Sequence, residues 1–133
     1  MSVSVHVRRG DYLLPKNAVY IRLSKEYYDK VMSYFTQRFD NVHFYVFSDG
    51  IDWCRENFKA DRITFIDWNT GDDSYKDMQL MSLCKHNIIA NSSFSSWAAW
   101  LNANPDKIVI RPKEYKTDGQ DYYWPDEWIA MDN

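Results

Sequence analysis

Short apolar runs recur along this chain, and the segments between them carry apolar residues spaced three or four apart. The first run alternates Val3, Val5 and Val7 with Ser4 and His6, which predicts a strand over residues 2–8. Ser24 then precedes a helical stripe of Tyr28, Val31, Met32, Phe35 and Phe39. HFYVFSDG (43–50) reads as a buried strand ending in a turn. A short helix with Ile51, Cys54 and Phe58 follows, then the strand RITFID (62–67). Beyond an acidic loop (68–74), Tyr75, Met78, Met81 and Cys84 recur every third residue. A strand NIIAN (87–91), a helix over 94–102 and a strand KIVIRP (107–112) complete the alternation. No hairpin dipeptide joins two of these strands, so tight antiparallel pairing is disfavoured. The expected fold is α/β: a Rossmann-like doubly wound parallel sheet of about five strands, with helices on both faces. The aromatic tail YYWPDEWI (122–129) is expected to pack as a short helix. With 133 residues and no repeat or linker, residues 1–133 form one domain.

Open parallel sheets bind ligands beyond the carboxyl ends of their strands. Arg8, Arg9 and Asp11 occupy that position for the first strand, Asp49 for the second, and Asn91 to Ser95 for the fourth. Fixing two adjacent arginines calls for an anion, supplied either by the protein (Asp11 and Asp49) or by a ligand. A helix starting among the serines of NSSFSSW (91–97) offers backbone N–H groups and its positive dipole end to a phosphate, and Ser93 and Ser95 add hydroxyls. The competing reading is that Ser93 only caps that helix. Ser74 and Asp77 have capping-box spacing; alternatively, Asp77 accepts from a nucleobase amide. His6 is either a nucleotide contact or a hydrogen-bonded core histidine.

Several function classes drop out. A net charge of -3 argues against a general nucleic-acid binder. His6, His43 and His86 are scattered, and Cys54 and Cys84 read as buried free thiols, so no metal site is expected. There is no G-x-G-x-x-G after the first strand and no Walker pattern. No apolar run reaches the length of a membrane span, and no signal-peptide pattern is read ahead of the first strand. A phosphoacceptor regulator wants acids where this first strand carries arginines.

HVRRGDY (6–12) and DMQLMSLCKHNIIANSSFSSWAAWLN (77–102) resemble blocks of the alpha-1,2-fucosyltransferases that use GDP-fucose. FYVFSDGIDW (44–53) and NPDKIVIRPKEY (104–115) are similar to the blocks between and after them. The resemblance covers essentially the whole chain. It implies a two-lobed GT-B transferase, of which this chain looks like the carboxyl-terminal, donor-binding lobe, the amino-terminal acceptor lobe being absent. By that analogy Arg8 holds the diphosphate and is catalytic. His6 and Asp77 contact guanine; Arg9, Asn91, Ser93 and Ser95 complete the nucleotide site; and Asp11 orients Arg8, helps form the ribose site or acts as base. Where Ser96 and Ala98 stand, the family commonly carries tryptophan and glycine. The implied reaction is inverting transfer of fucose from GDP-beta-L-fucose to a glycan acceptor, expected to be galactose-terminated. No cofactor or metal is expected, and the isolated lobe should be inactive. The analogy places such an enzyme in a bacterial cytoplasm, peripheral to the inner membrane. A donor lobe for another GDP-sugar, or a non-catalytic nucleotide-binding module, are the alternatives.

Overall fold

The computed structural model describes residues 1–9, 23–69, 71–113 and 124–132. Its elements, in order, are β1 (Ser2–Val7), α1 (Lys25–Arg38), β2 (His43–Ser48), α2 (Ile51–Asn57) and β3 (Ile63–Ile66). They continue through a 3₁₀ turn (Gly71–Asp73) to α3 (Tyr75–Leu83), β4 (His86–Ile88), α4 (Ser93–Leu101), β5 (Val109–Pro112) and β6 (Ile129–Met131). The strands form one sheet in the order β3-β2-β1-β4-β5-β6, and every pairing is parallel. The α/β expectation holds, with one strand more than foreseen.

That extra strand corrects the reading of the tail. Ile129 to Met131 pair in parallel with Ile110 to Pro112 instead of continuing a helix. Pro125 opens a tight turn closed by the Trp128 N–H to the Pro125 carbonyl. Trp124 and Trp128 are buried with Ile89, Ala99 and Val109, and this packing anchors the segment beside β5.

Alternation along β1 divides the labour between the two faces of the sheet. Val3, Val5 and Val7 enter the main core with Val31 and Phe35 of α1 and Cys54 of α2. Ser4 and His6 face the other way. There, Met81 and Ala98 of the α3/α4 layer pack with Phe47 and Ile66. A buried amide network ties this layer down. Asn87 Nδ2 donates to Ser4 Oγ (2.7 Å) and to the Met81 carbonyl (2.8 Å). Asn102 Nδ2 donates to Asn87 Oδ1 and to the Cys84 carbonyl, both at 2.8 Å. Lys107 Nζ satisfies the Ala99 and Asn102 carbonyls at the end of α4.

Strand order reverses between β1 and β4, and there the sheet opens. Their ladder ends at Val5 and Ile88. Two adjacent residues of α1 satisfy the next carbonyls: Tyr28 donates to His6 and Tyr27 to Ile89, each at 3.0 Å. Ser24 caps α1 by accepting from the Tyr27 N–H. Cys54 and Cys84 are buried free thiols, both pushed up to about 11 chiefly by burial. Among the described residues, no helix is long and apolar enough to cross a membrane.

Candidate active site at the switch point

A cleft of about 470 Å³ lies at the carboxyl edge of the sheet. His6 and Arg8 reach it from β1, Asp49 from the end of β2, Asn69 from the loop after β3, Asp77 from α3 and Phe94 from α4. This is the place where a parallel sheet with this strand order forms a ligand crevice.

Arg8 and Arg9 part company there, because successive residues of an extended chain point to opposite faces. Arg8 Nε stands 3.6 Å from the Asp49 carboxylate, and both side chains keep about a third of their surface in solvent. Arg9 turns to the α1/α2 face, where its guanidinium lies 4.0 Å over the ring of Trp53. Only its backbone N–H stays with the site, donating to Asp49 at 2.8 Å. Gly50 permits this close passage, since a Cβ there would stand 3.2 Å from Arg9 Cβ. Asp49 therefore pins the ends of β1 and β2 together, assisted by Ser48, whose hydroxyl donates to the Val7 carbonyl at 2.7 Å.

His6 is buried against Phe94, with ring centroids 5.5 Å apart. Burial pushes its imidazole down to about 4; Asp49 pulls the other way and Arg8 adds to the depression, so the ring is neutral at pH 7. Its Nδ1 is buried and has no hydrogen-bond partner among the described residues. A donor or acceptor position is thus held in reserve at the cleft wall.

Asp77 does not complete a capping box. Ser74 makes no side-chain cap, and the Asp77 carboxylate instead accepts from Asn69 Nδ2 at 2.9 Å. Burial raises its pKa, against the stabilising hydrogen bond from Asn69. A half-buried carboxylate thus stays within the cleft, oriented by an amide.

The serine turn also differs in detail from expectation. Ser92, not Ser93, is the cap, accepting from the Phe94 N–H at 3.2 Å. Ser93 is the first helical residue and its side chain is exposed. Ser95 is buried; its hydroxyl accepts from the Ala90 N–H and lies within reach of the Ala90 and Ser92 carbonyls, so it braces the turn from behind. Ser96 donates to the Ser92 carbonyl and accepts from Trp124 Nε1, both at 2.9 Å. Asn91 is buried in the same turn.

Of the nominated residues, then, His6, Arg8 and Asp77 share one cleft. Asn91 and Ser93 belong to the turn next to Phe94, Ser95 supports that turn, and the Arg9 guanidinium lies on the far face. Asp11 lies outside the described residues. Asn69 is a cleft residue that carried no motif in the sequence. Asp49, placed by the sequence at the end of the second strand and offered as an arginine partner, does pair with Arg8.

A guanidinium and an amide-braced carboxylate lining one cleft suit a ligand with an anionic part and a hydrogen-bond-donating part. Comparison with known proteins gives the family. The model of glycosyl transferase family 11 matches residues 1–132. The chain is 46% identical over 118 residues to an Alpha-1,2-colitosyltransferase of Escherichia coli, covering 84% of this chain and 40% of the relative. It is 37% identical over 135 residues to the O-antigen biosynthesis glycosyltransferase WbnK of Escherichia coli, covering 98% and 44%. To a Galactoside alpha-(1,2)-fucosyltransferase 1 of Leontocebus fuscicollis it is 37% identical over 112 residues, covering 81% and 30%. The chain thus spans less than half the length of these curated relatives. On the family match and these identities together, the chain belongs to glycosyl transferase family 11.

Proposed function

We propose that this chain is the donor-binding lobe of an alpha-1,2-glycosyltransferase that uses a GDP-activated deoxysugar, with GDP-fucose the leading donor. The observation that carries the proposal is the placement of Arg8 and Asp77 in one cleft at the switch point. Guanine presents two adjacent N–H donors that a carboxylate accepts as a pair, and Asp77 supplies that carboxylate. Arg8, already oriented by Asp49, presents its fork to the diphosphate and stabilises the negative charge that develops as the sugar leaves. The start of α4, with Ser93 outermost, adds N–H and hydroxyl donors. Asp11, three residues beyond Arg8, is the nominated base for the acceptor hydroxyl. Attack from the opposite side of the anomeric carbon inverts it. The glycan acceptor, galactose-terminated, is held by a second lobe, and the reaction belongs on the cytoplasmic side of a membrane to which the enzyme is peripheral.

Calorimetric titration with GDP, ADP, UDP and CDP tests the reading. GDP should bind tightest, and Asp77→Asn should erode that preference, because an amide places a donor where the base also donates. Equal affinity for all four nucleotides would overturn the assignment. The chain alone, given GDP-fucose and a galactoside, should form no fucoside, since near-attack geometry needs an acceptor held across a closed cleft. Sustained turnover would show that one lobe suffices.

A further inference from the structure

A second concavity, of about 500 Å³, lies where α4 meets the tail, and four tryptophans line it. Trp124 and Trp128 are buried and form its floor. Trp97 and Trp100, three apart on α4, stand 53% and 60% exposed as its walls. The core does not need those two rings, because α4 packs inward through Ser95, Ala98 and Ala99. Large aromatic faces left in water around a concavity mark a binding surface.

The polar groups define what fits. Trp124 Nε1 is engaged by Ser96. The indole N–H groups of Trp97, Trp100 and Trp128 donate to nothing among the described residues. Glu127 brings a carboxylate to the lining, which contains no lysine or arginine. Nearby, Lys107 Nζ is held by the Ala99, Trp100 and Asn102 carbonyls and the Arg111 guanidinium lies over the Trp124 ring, so the charge the lining itself offers a ligand is the Glu127 carboxylate, which disfavours an anion. A lipid tail, or a purely apolar face of another protein, would strand the carboxylate and the N–H donors without partners. A pyranose ring answers both demands, with an apolar C–H face for the indoles and hydroxyls for Glu127 and the N–H groups. Location adds a reason. Phe94 of α4 lines the donor cleft, and Trp97 and Trp100 follow it by three and six residues, roughly 5–9 Å along the helix axis.

We infer that this groove is a neutral-oligosaccharide subsite, holding inner sugars of a glycan while its end is presented near the donor cleft. The choice of glycan rests on the proposed function; the groove itself does not depend on the donor. The probes are lacto-N-tetraose and methyl beta-galactoside, titrated into the chain with tryptophan emission and indole N–H chemical shifts as readouts. The tetrasaccharide should shift the Trp97 and Trp100 indoles and bind more tightly than the monosaccharide. Trp97→Ala and Trp100→Ala should each weaken it at least fivefold, with thermal midpoints near that of the parent because both rings point outward. Trp100→Phe, which keeps an aromatic face, should retain part of the affinity. Arg8→Lys should leave glycan affinity unchanged.

Tetrasaccharide binding that is unchanged when Trp97→Ala and Trp100→Ala are combined in one double variant would overturn the inference. So would a dimer that the double variant converts to monomer, since the groove would then receive a second copy. Groove-dependent binding to phosphatidylglycerol/phosphatidylethanolamine vesicles without glycan binding would also overturn it, assigning the rings to a membrane. Glycan binding with no GDP binding would sink the donor reading and leave the groove intact; GDP binding with no glycan binding would do the reverse.

Discussion

Replacing Arg8 by lysine separates a ligand-binding arginine from a structural one. In the free protein Arg8 reaches Asp49 through Nε at 3.6 Å, with 30% of the Arg8 side chain and 38% of the Asp49 side chain exposed. A pair so wet is screened, and its loss costs about 1 kcal/mol or less. For a chain of this length that shifts the thermal midpoint by no more than roughly 3–6 °C. Lysine keeps the charge, so this is an upper bound on what loss of the Asp49 contact costs. The ligand tells a different story. An arginine fork on a diphosphate makes two parallel charged hydrogen bonds, and lysine cannot reproduce the paired geometry. Losing one such bond costs about 1.5–3 kcal/mol, which is roughly a ten- to hundredfold weakening. Differential scanning fluorimetry and GDP calorimetry on the same Arg8→Lys preparation therefore give two numbers whose contrast decides the matter. The expected result is a midpoint within a few degrees of the parent and GDP affinity down at least tenfold. A midpoint lowered by ten degrees, with full affinity per folded molecule, would show that Arg8 serves the Asp49 network and that the anion site lies elsewhere.

Three further outcomes are expected. His6, held near 4 against an ordinary 6.5, favours the folded state only while neutral. Its contribution is therefore complete above pH 6.5 and is lost as the pH falls toward 4, an effect of about 3 kcal/mol in urea melts that His6→Gln should flatten; an NMR titration of His6 centred near 6.5 in the folded chain would contradict it. GDP affinity should be alike in chelator and in excess magnesium, because arginine supplies the positive charge and no group of three ligating side chains is clustered among the described residues; a hundredfold gain with magnesium would refute this. Asn102→Ala strands the Cys84 carbonyl, removes a donor from Asn87 Oδ1 and leaves the Asn104 N–H without its acceptor, so urea denaturation should show a loss of about 2–3 kcal/mol with GDP affinity per folded molecule intact; a loss under half a kcal/mol would mean water replaces the amide.

The alternation of periods 2 and 3.6 made the parallel sheet legible, since no hairpin dipeptide joins two of its strands directly; even Asp49-Gly50, after β2, leads into a helix. The tail was misread because Ile129 to Met131 is too short to show a strand period, while Trp124 and Trp128, four apart, imitate a helical stripe. At the site, spacing located strand ends but not side-chain partners. Adjacent Arg8 and Arg9 were nominated together, although strand geometry sends them to opposite faces and only Arg8 lines the cleft. Ser74 and Asp77 have the spacing of a capping box, yet Asn69 intercepts the carboxylate, and nothing local in the sequence marks that competition. Ser92 and Ser93 are equivalent as letters; the extended backbone at Ser92 makes it the cap.

The place of β1 at the centre of the sheet also sets the order in which the fold can close. This strand is the first of the six to be synthesised, yet its second neighbour, His86 to Ile88, is made only after β2, β3 and three helical segments. Until then β1 is the edge of a three-stranded β3-β2-β1 ribbon, with the backbone groups of Ser2 and Ser4 unpaired on the side that β4 will take. An open, valine-rich edge templates pairing with other chains, and such non-local closure is slow. The nascent protein is therefore most exposed to aggregation between the completion of Ile66 and the arrival of Ile88. Chains arrested in that window should go preferentially to chaperones or inclusion bodies, whereas those that have passed Ile88 carry a covered edge.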